Sequence, residues 1–376
     1  MTFYLILTFL NFINLFSDKR IYYQILGISF NFYNNTFSGK DYNYYNGKYL
    51  NEKDKEAILQ AIPSEGWKLS SEGSLSFLSL SYRFWNLSVS LNTRGRGRIK
   101  KEIFELLFFG NRLNQIYQTE ENRGEVFVFS QIKNTFCFSL KNKWKIGFGI
   151  NYLKGYYYLK AEDNYLYLLT TQKFLNLYNE INYKKSFGGN GFGFDIGIGK
   201  KIDEKFGVKI IMENINNKIF WQKENHIGKI VLIVDSLNFD KISKGNYYFF
   251  NKEEKETIQF VNRPLPFEIN LSCENVIKDF LKINSGISWA EKEYVKLLSR
   301  LDYQPFNFLG IINFLNLYLL TDKDASLGSP SYEIGIGFRV IIKDIDFFFS
   351  HEYYKGFLLG AKGFSFKFRL DYNFSY

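Results

Sequence analysis

The chain has 376 residues, a formal charge of +10 and 20% aromatic residues, with 41 Phe and 28 Tyr but only five Pro. Hydrophobic residues make up 46%, yet mean hydropathy is −0.22, as alternation of apolar and polar residues produces; beyond the N-terminus no stretch approaches the ~20 apolar residues of a membrane helix, which excludes a helical membrane bundle. The basic residues are spread along the chain rather than gathered on one patch, which argues against a nucleic-acid partner. Cys137 and Cys273 define neither a disulfide framework nor a metal site and read as small buried hydrophobes.

Residues 1–16 are apolar enough for the core of a signal peptide, but no Lys or Arg precedes them and no small-x-small cleavage site follows. Residues 21–33 predict a first strand with Ile28, Phe30 and Phe32 on one face. A polar insertion follows over 34–74, with a short helix at 52–61 stopped by Pro63. Two strands then turn at Asn86, the first directing Leu78, Leu80, Tyr82 and Phe84 outward and the second Leu87, Val89 and Leu91. The run Arg94-Gly95-Arg96-Gly97-Arg98 reads as a solvated loop touching anionic lipid head groups. Ile103, Leu106, Leu107 and Gly110 recur at helical spacing, which predicts a helix over 100–109.

Strands at 125–138 and 144–152 meet around a Lys-Asn-Lys turn, and Trp144, Ile146, Phe148, Ile150 and Tyr152 alternate with Lys145, Gly147, Gly149 and Asn151. A long Tyr- and Lys-rich excursion occupies 155–187. In the next hairpin Phe192, Phe194, Ile196 and Ile198 alternate with Gly193, Asp195, Gly197 and Gly199; it turns at Asp203-Glu204 and returns through Phe206, Val208, Ile210 and Met212, with Lys209 on the other face. The glycine run from Gly188 to Gly193 lacks the Gly-Lys-Ser/Thr ending of a phosphate loop, so no nucleotide site is read there. A second excursion spans 214–262, and Pro264 and Pro266 mark the return to strand. Strands over 281–289, 292–303 and 306–319, the last two around Pro305, lead to 332–342, where Tyr332, Ile334, Ile336, Phe338 and Val340 alternate with Glu333, Gly335, Gly337 and Arg339. After Lys343-Asp344 comes a strand at 345–354. From Phe364 onward every even position is apolar, while the odd ones are Ser365, Lys367, Arg369, Asp371, Asn373 and Ser375.

One edge strand of a soluble β-sandwich could also alternate, but a run this long suits a tilted membrane strand of roughly 9–11 residues. Short turns and long connections also fall on opposite sides when counted back from a descending last strand. If the apolar runs 156–169 and 227–234 are left out of the wall, the count closes at fourteen. The fold class is therefore all-β: a transmembrane antiparallel up-and-down β-barrel of about 14 strands, with long extracellular loops carrying short helices. Residues 21–376 form the barrel and 1–20 an N-terminal segment. Its polar face supplies the candidate lumen-facing residues Lys145, Asp195, Lys209, Arg339, Lys367, Arg369 and Asp371. Phe374 and Tyr376 resemble the C-terminal signal read by barrel-assembly machinery, a partner during biogenesis, as outer-membrane lipid is afterwards.

Several segments resemble an uncharacterised family of bacterial outer-membrane barrels found mainly in Bacteroidetes and related phyla: Phe32-Tyr33-Asn34-Asn35-Thr36-Phe37-Ser38, Asn46-Gly47-Lys48-Tyr49-Leu50, Ile62-Pro63-Ser64-Glu65-Gly66-Trp67, Phe108-Phe109-Gly110-Asn111, Glu213-Asn214-Ile215 through Phe220-Trp221, Arg263-Pro264-Leu265-Pro266, and the stretch from Leu359 to Phe366. That family is distantly similar to the long-chain fatty-acid transporters and to barrels attached to secretion systems. Its members carry an Asn-Pro-Ala-Asn-Leu element before the first strand, where Asn11-Phe12-Ile13-Asn14-Leu15 stands here without the proline. By this resemblance residues 1–16 belong to the mature protein and enter the lumen; by composition they are signal-like, and both readings stand.

No catalytic constellation is legible. His226 and His351 lie far apart and belong to no metal-spaced cluster, so neither an enzyme nor a cofactor is read. The resemblance implies a location in the outer membrane of a Gram-negative bacterium and passive transport of a small solute of hydrophobic class. The alternative is a non-transporting surface scaffold or secretion-associated barrel that binds a protein partner through its loops.

Overall fold

The computed structural model describes residues 20–82, 84–245, 249–321 and 331–375. Eighteen strands join in one sheet: β1 (Arg20–Asn34), β2 (Trp67–Tyr82), β3 (Trp85–Ile99), β4 (Ile116–Ser139), β5 (Trp144–Thr170), β6 (Leu175–Ser186), β7 (Gly188–Lys201), β8 (Phe206–Lys223), β9 (His226–Leu237), β10 (Phe249–Glu256), β11 (Phe260–Asn262), β12 (Glu268–Lys278), β13 (Leu281–Ala290), β14 (Tyr294–Phe306), β15 (Leu309–Thr321), β16 (Ser331–Ile342), β17 (Ile345–Tyr354) and β18 (Gly363–Ser375). The helices α1 (Gly39–Tyr45), α2 (Glu52–Ala61), α3 (Lys101–Phe109) and α4 (Phe239–Ser243) all lie in connections. Among the described residues no helix is long and apolar enough to cross a membrane.

Antiparallel ladders run from β1 through β5, pass from β5 directly to β7 and from β8 to β12, and continue to β18. The last strand then closes on the first, with Ile28 opposite Phe368 and Asn31 opposite Ser365. Closure removes the unpaired edges that an open sheet would expose. Short connections at 83–84, 140–143, 202–205, 279–280, 307–308 and 343–344 share one end with both ends of the ring, the turn end. Longer connections gather at the opposite loop end, where the short ones include 291–293 and the links 187 and 224–225 that join β6 to β7 and β8 to β9.

Fourteen strands close the ring itself, and with β6 and β9, which continue the sheet from β5, the barrel has 16 strands rather than about 14. The apolar runs 156–169 and 227–234, left out of the wall on sequence grounds, are strand, within β5 and β9. Residues 144–155 of β5 pair with β7, but from Tyr158 onward β5 pairs with β6, then β6 with β9 and β9 with β10. This makes a flap that continues the sheet at the loop end. Three further expectations are corrected. The Arg-Gly run is not a solvated loop but part of β3. The turn is not at Asn86, since β3 already begins at Trp85 and Asn86 is buried within it, donating to Ser81 Oγ at 3.1 Å. Pro305 lies inside β14, one residue before its end.

Helix α2 occupies the predicted 52–61, started by a reciprocal capping box between Asn51 and Asp54. Helix α3 fills the second predicted helical run and ends at Gly110, whose φ of 70° favours glycine. Helix α1, capped by Ser38 and Asp41, was hidden by the Asn- and Tyr-rich composition of its segment. The expected N-terminal segment, residues 1–19 in particular, lies outside the described residues, as do Arg83 and Tyr376.

Burial is inverted relative to a soluble sheet. On β18, Ser365, Lys367, Arg369 and Asp371 are buried while Phe364 is 39% exposed; on β7, Asp195 is buried between exposed Phe194 and Ile196. A β-sandwich would bury the apolar face. A barrel whose outer surface meets hydrocarbon does the reverse. Aromatic residues also collect near the turn end: Phe84 stacks on Phe138, Phe306 on Phe308, and Phe280 meets Tyr303 edge-on. Lys200 lies over Trp144 and Lys278 over Phe280, at 5.0 and 5.5 Å from the ring centres. An amphipathic ring with a cation beside it suits the boundary between hydrocarbon and water.

Candidate functional site

The interior is built from the inward positions of nearly every wall strand, and its charges form separate networks. Buried carboxylates and ammonium groups persist only when paired and hydrogen-bonded. In the first network Lys133 of β4 contacts Asp195 of β7 at 2.7 Å and Glu213 of β8 at 3.2 Å. Asn151 of β5 donates to Asp195 at 3.0 Å, and Asn270 of β12 to Glu213 at 3.3 Å. Asp195 also accepts from the backbone N–H of Asn214 at 2.9 Å. That bond replaces a ladder bond lost where Asn214 and Asn216 adopt left-handed φ of 58° and 52° and the β7–β8 register slips. Asn tolerates this conformation better than most residues.

The second network lies toward the loop end of the opposite wall. Glu333 of β16 accepts from Tyr33 at 3.0 Å, Asn316 at 2.9 Å and Tyr318 at 3.2 Å. Lys367 pairs with Glu352 beside it. Lys296 is fully buried and sits over the rings of Tyr294 and Tyr318, 4.7 and 5.4 Å from their centres. Tyr33, Tyr294, Tyr318 and Tyr354 pack together with Ala290, so this side of the interior carries a tyrosine belt around paired charges.

The Arg-Gly run makes the third. Its alternation points all three guanidinium groups to the inner face. Arg94 meets Glu72 at 3.1 Å and Glu293 at 2.7 Å, Arg96 meets Glu293 at 2.8 Å, and Arg98 meets Glu121 at 2.7 Å. Arg94 also donates to the carbonyl of Pro264 at 3.3 Å, tying β3 to the segment before β12.

Between the first and third networks the inner face turns apolar. Phe127 and Phe129 of β4, Leu153 and Tyr158 of β5, Ile219 and Trp221 of β8, and Leu265 form one buried cluster. Tyr158 stacks on Trp221 with ring centres 5.4 Å apart and leans on Phe127 at 4.9 Å. Gly155 makes this possible, because a Cβ there would lie 2.6 Å from the Trp221 ring.

Of the residues predicted to face the lumen, Asp195, Lys209, Lys367, Arg369 and Asp371 are buried and Lys145 and Arg339 half-buried, each on the face opposite the exposed apolar one. Asp195 and Lys367 join the first and second networks; Arg339 pairs with Asp346, and Arg369 with Asp371. Phe374 lies in β18 with its backbone opposite Ile21. Cys137 is buried, Cys273 half-buried, and both are free. Lys133, Glu293 and Glu352 escaped the sequence reading, and Glu333, Glu213 and Trp221, though named there, were not singled out as interior residues. Lys133 and Glu352 alternate within predicted strands and could have been found by parity. So does Glu213, four residues beyond Lys209 on the same face, whereas Trp221 fell within 214–262, which was read as an excursion rather than wall strand.

Over residues 15–184 the chain matches the model of DUF5723, a family of unknown function. The resemblance read from the sequence, to an uncharacterised family of outer-membrane barrels distantly similar to the fatty-acid transporters, therefore holds. Among solved structures, the chain is similar to a Pseudomonas aeruginosa FadL homologue, with 12% identity, 95% of this chain and 91% of the other covered, and a TM-score of 0.53. It is also similar to the P. putida toluene transporter TodX (8% identity, 96% and 92% covered, TM-score 0.50) and to the Ralstonia pickettii toluene transporter TbuX (8%, 96% and 91%, 0.50). At these identities the likeness is one of fold. No curated protein matches the sequence.

Proposed function

We propose that this barrel sits in the outer membrane of a Gram-negative bacterium and passively conducts a small hydrophobic solute, with the loop end outside and no catalytic step. The observation that carries this is the buried aromatic cluster of Phe127, Phe129, Tyr158 and Trp221, part of the largest buried apolar cluster among the described residues. Such a patch offers an apolar solute a place to leave water, while the polar face, including Lys145, Lys209, Arg339 and Arg369, keeps the rest of the lumen wetted. The fold it shares with a FadL homologue and toluene transporters supports the same class of solute. Barrel-assembly machinery would insert the chain, reading Phe374 and Tyr376.

The test is tryptophan fluorescence of the purified protein in nanodiscs, titrated with alkylbenzenes and with laurate. A saturable change that disappears in Trp221→Phe is expected. No response to either ligand class, or one unaltered in Trp221→Phe, would overturn the proposal.

The flap formed by β6, β9, β10 and the second half of β5 favours a second reading, a scaffold that holds a protein partner above the membrane. Its mark would be a stoichiometric partner that copurifies from membranes and is lost when the flap is removed.

A further inference from the structure

At the closing seam the rim of the barrel is low. Strand β17 has 10 residues, against 27 in β5. A strand of that length, rising roughly 3.3 Å per residue at a tilt of about 40°, climbs only about 25 Å, the height of the apolar band of a membrane barrel. The connection 355–362 therefore leaves the wall at the outer edge of that band rather than well above it. There Phe357, Leu358 and Leu359 are 62%, 58% and 60% exposed, more than the outward Phe349 and Phe364 of the strands they join. We propose, resting on the outer-membrane placement of the barrel, that these three residues form a wedge that inserts into the acyl chains of the outer leaflet and anchors the seam there.

Three observations point to hydrocarbon as the occupant. The segment continues the outer face of the wall: ring centres lie 5.9 Å apart between Phe30 and Phe364, 6.1 Å between Phe364 and His351, 4.4 Å between His351 and Tyr353, and 5.1 Å between Tyr353 and Phe357. One column of outward rings thus runs from β1 across β18 and β17 into the connection. No acidic residue occurs from Tyr353 to Phe364, whereas Lys355 and Lys362 stand on either side of the apolar triplet. Cations at the border of an apolar segment suit anionic head groups, which would repel a carboxylate. Leu358 also has a left-handed φ of 51°. A bulky residue is a genuine outlier there, and with most of its side chain exposed, packing within the chain does not offset the strain; burial in hydrocarbon would. The backbone holds the triplet in place, since the N–H of Lys355 donates to the carbonyl of Tyr332 at 3.0 Å, that of Lys362 to Tyr354 at 2.9 Å, and that of Gly39 in α1 to Ala361 at 3.1 Å. Insertion then has little ordering left to impose.

The experiment places an environment-sensitive NBD label on single cysteines of the full-length protein carrying Cys137→Ser and Cys273→Ser, in phosphatidylcholine nanodiscs. Leu359→Cys is compared with Ile336→Cys on the exposed face of β16 and with Tyr49→Cys in the connection between β1 and β2. The quenchers are aqueous iodide and a lipid bearing a nitroxide high on its acyl chain. The Leu359 label is expected to be quenched by the nitroxide lipid, and several-fold less by iodide than the Tyr49 label. Iodide quenching equal to that at Tyr49 would overturn the proposal by leaving the segment in water. Shielding from both quenchers would overturn it by placing protein, such as a second copy of the chain, over the triplet. The Ile336 label separates two failures: if it too escapes the nitroxide lipid, the membrane placement falls and the wedge with it, whereas quenching at Ile336 without quenching at Leu359 removes the wedge alone. Phe357→Cys repeats the measurement at a second position, and heat-modifiable migration confirms that each variant folds.

Discussion

The Tyr33 hydroxyl donates to Glu333 at 3.0 Å although their strands, β1 and β16, are not neighbours. Two strands, β18 and β17, lie between them, and these contribute the Lys367–Glu352 pair to the same buried face. The bond thus braces the closing seam of the barrel from inside, where the first and last parts of the chain meet.

Replacing Glu333 by Ala strands three donors, Tyr33, Asn316 and Tyr318, in a buried site. Leaving a buried polar group unsatisfied costs roughly 1–3 kcal/mol. Glu333→Ala should therefore lower the temperature at which the barrel loses its compact migration on SDS gels clearly more than Tyr33→Phe, which removes one bond and no acceptor. Equal loss in the two variants would show that Glu333 does not organise the seam.

Lys133 is the only cation within 4 Å of both Asp195 and Glu213 among the described ion pairs. Removing one partner of a buried pair typically costs about 3–5 kcal/mol, because the other charges remain uncompensated. Lys133→Met should unfold at markedly lower urea than wild type, and adding Asp195→Asn and Glu213→Gln should restore most of the difference. A triple variant as unstable as Lys133→Met would mean that packing by the lysine stem, not charge, is what matters.

These networks show which parts of the molecule the sequence discloses. Alternation is a local signal, so the wall faces of β7, β16 and β18 and both faces around Asp195, Arg339 and Lys367 could be read residue by residue. Loop parity gave the closure of β18 on β1 because it needs only connection lengths. Pairing across the interior was not legible: nothing local links Tyr33 to Glu333 or Arg94 to Glu293, since those contacts depend on which strands face one another across the lumen. The flap was missed for a different reason. Residues 175–186 mix Asn, Lys and Glu with apolar residues on both faces, and 226–237 carries apolar residues at consecutive positions from Ile230 to Val234, so neither shows the one-sided alternation of a wall strand.

On the flap, Glu180 accepts hydrogen bonds from Lys229, Tyr178 and Asn182, and these hold its carboxyl down at about 2, well below the usual range. A group whose pKa is depressed by folding contributes stability that is present above its unfolded value, about 4.3, and lost as pH falls toward the folded one. Hydrogen exchange of β6 and β9 should therefore be unchanged between pH 7 and 5 once corrected for intrinsic rates, and should accelerate below about pH 4. Glu180→Gln should flatten this response. The site is only partly shielded from water, so the change should be confined to the flap and leave β1 and β18 protected.

A chain ending at Asn373 loses the Phe374 backbone pairing with Ile21 and both terminal aromatics. It should accumulate in the periplasm and be degraded instead of appearing in outer-membrane fractions. A full-length Tyr376→Ala variant, which keeps the Phe374 pairing, tests whether the ladder bond or the final aromatic matters: normal assembly would assign the defect to strand pairing and leave Tyr376 without a role.

The tightest approach in the wall is at Gly191, where an added Cβ would stand 1.8 Å from the carbonyl oxygen of Lys218. The cause is the slip between β7 and β8. Phe192 pairs with Lys218 but Phe194 with Ile215 and Ile196 with Met212, so β8 carries extra residues that its left-handed asparagines fold away, and its backbone is pressed onto β7. Because the obstacle is backbone rather than a flexible side chain, it has no rotamer by which to yield, and overpacking of this kind typically costs about 1–3 kcal/mol or more. Gly191→Ala should lower barrel stability by at least that amount, and protection should be lost first on β7 and β8 near the Tyr158–Trp221 stack. Gly124→Ala is the matched control: its nearest neighbour would be 3.8 Å away, an ordinary contact, so stability should hardly change. If both variants behaved alike, the register slip would be a soft feature of the wall, and the rigid placement of Trp221 that solute binding requires would fall with it.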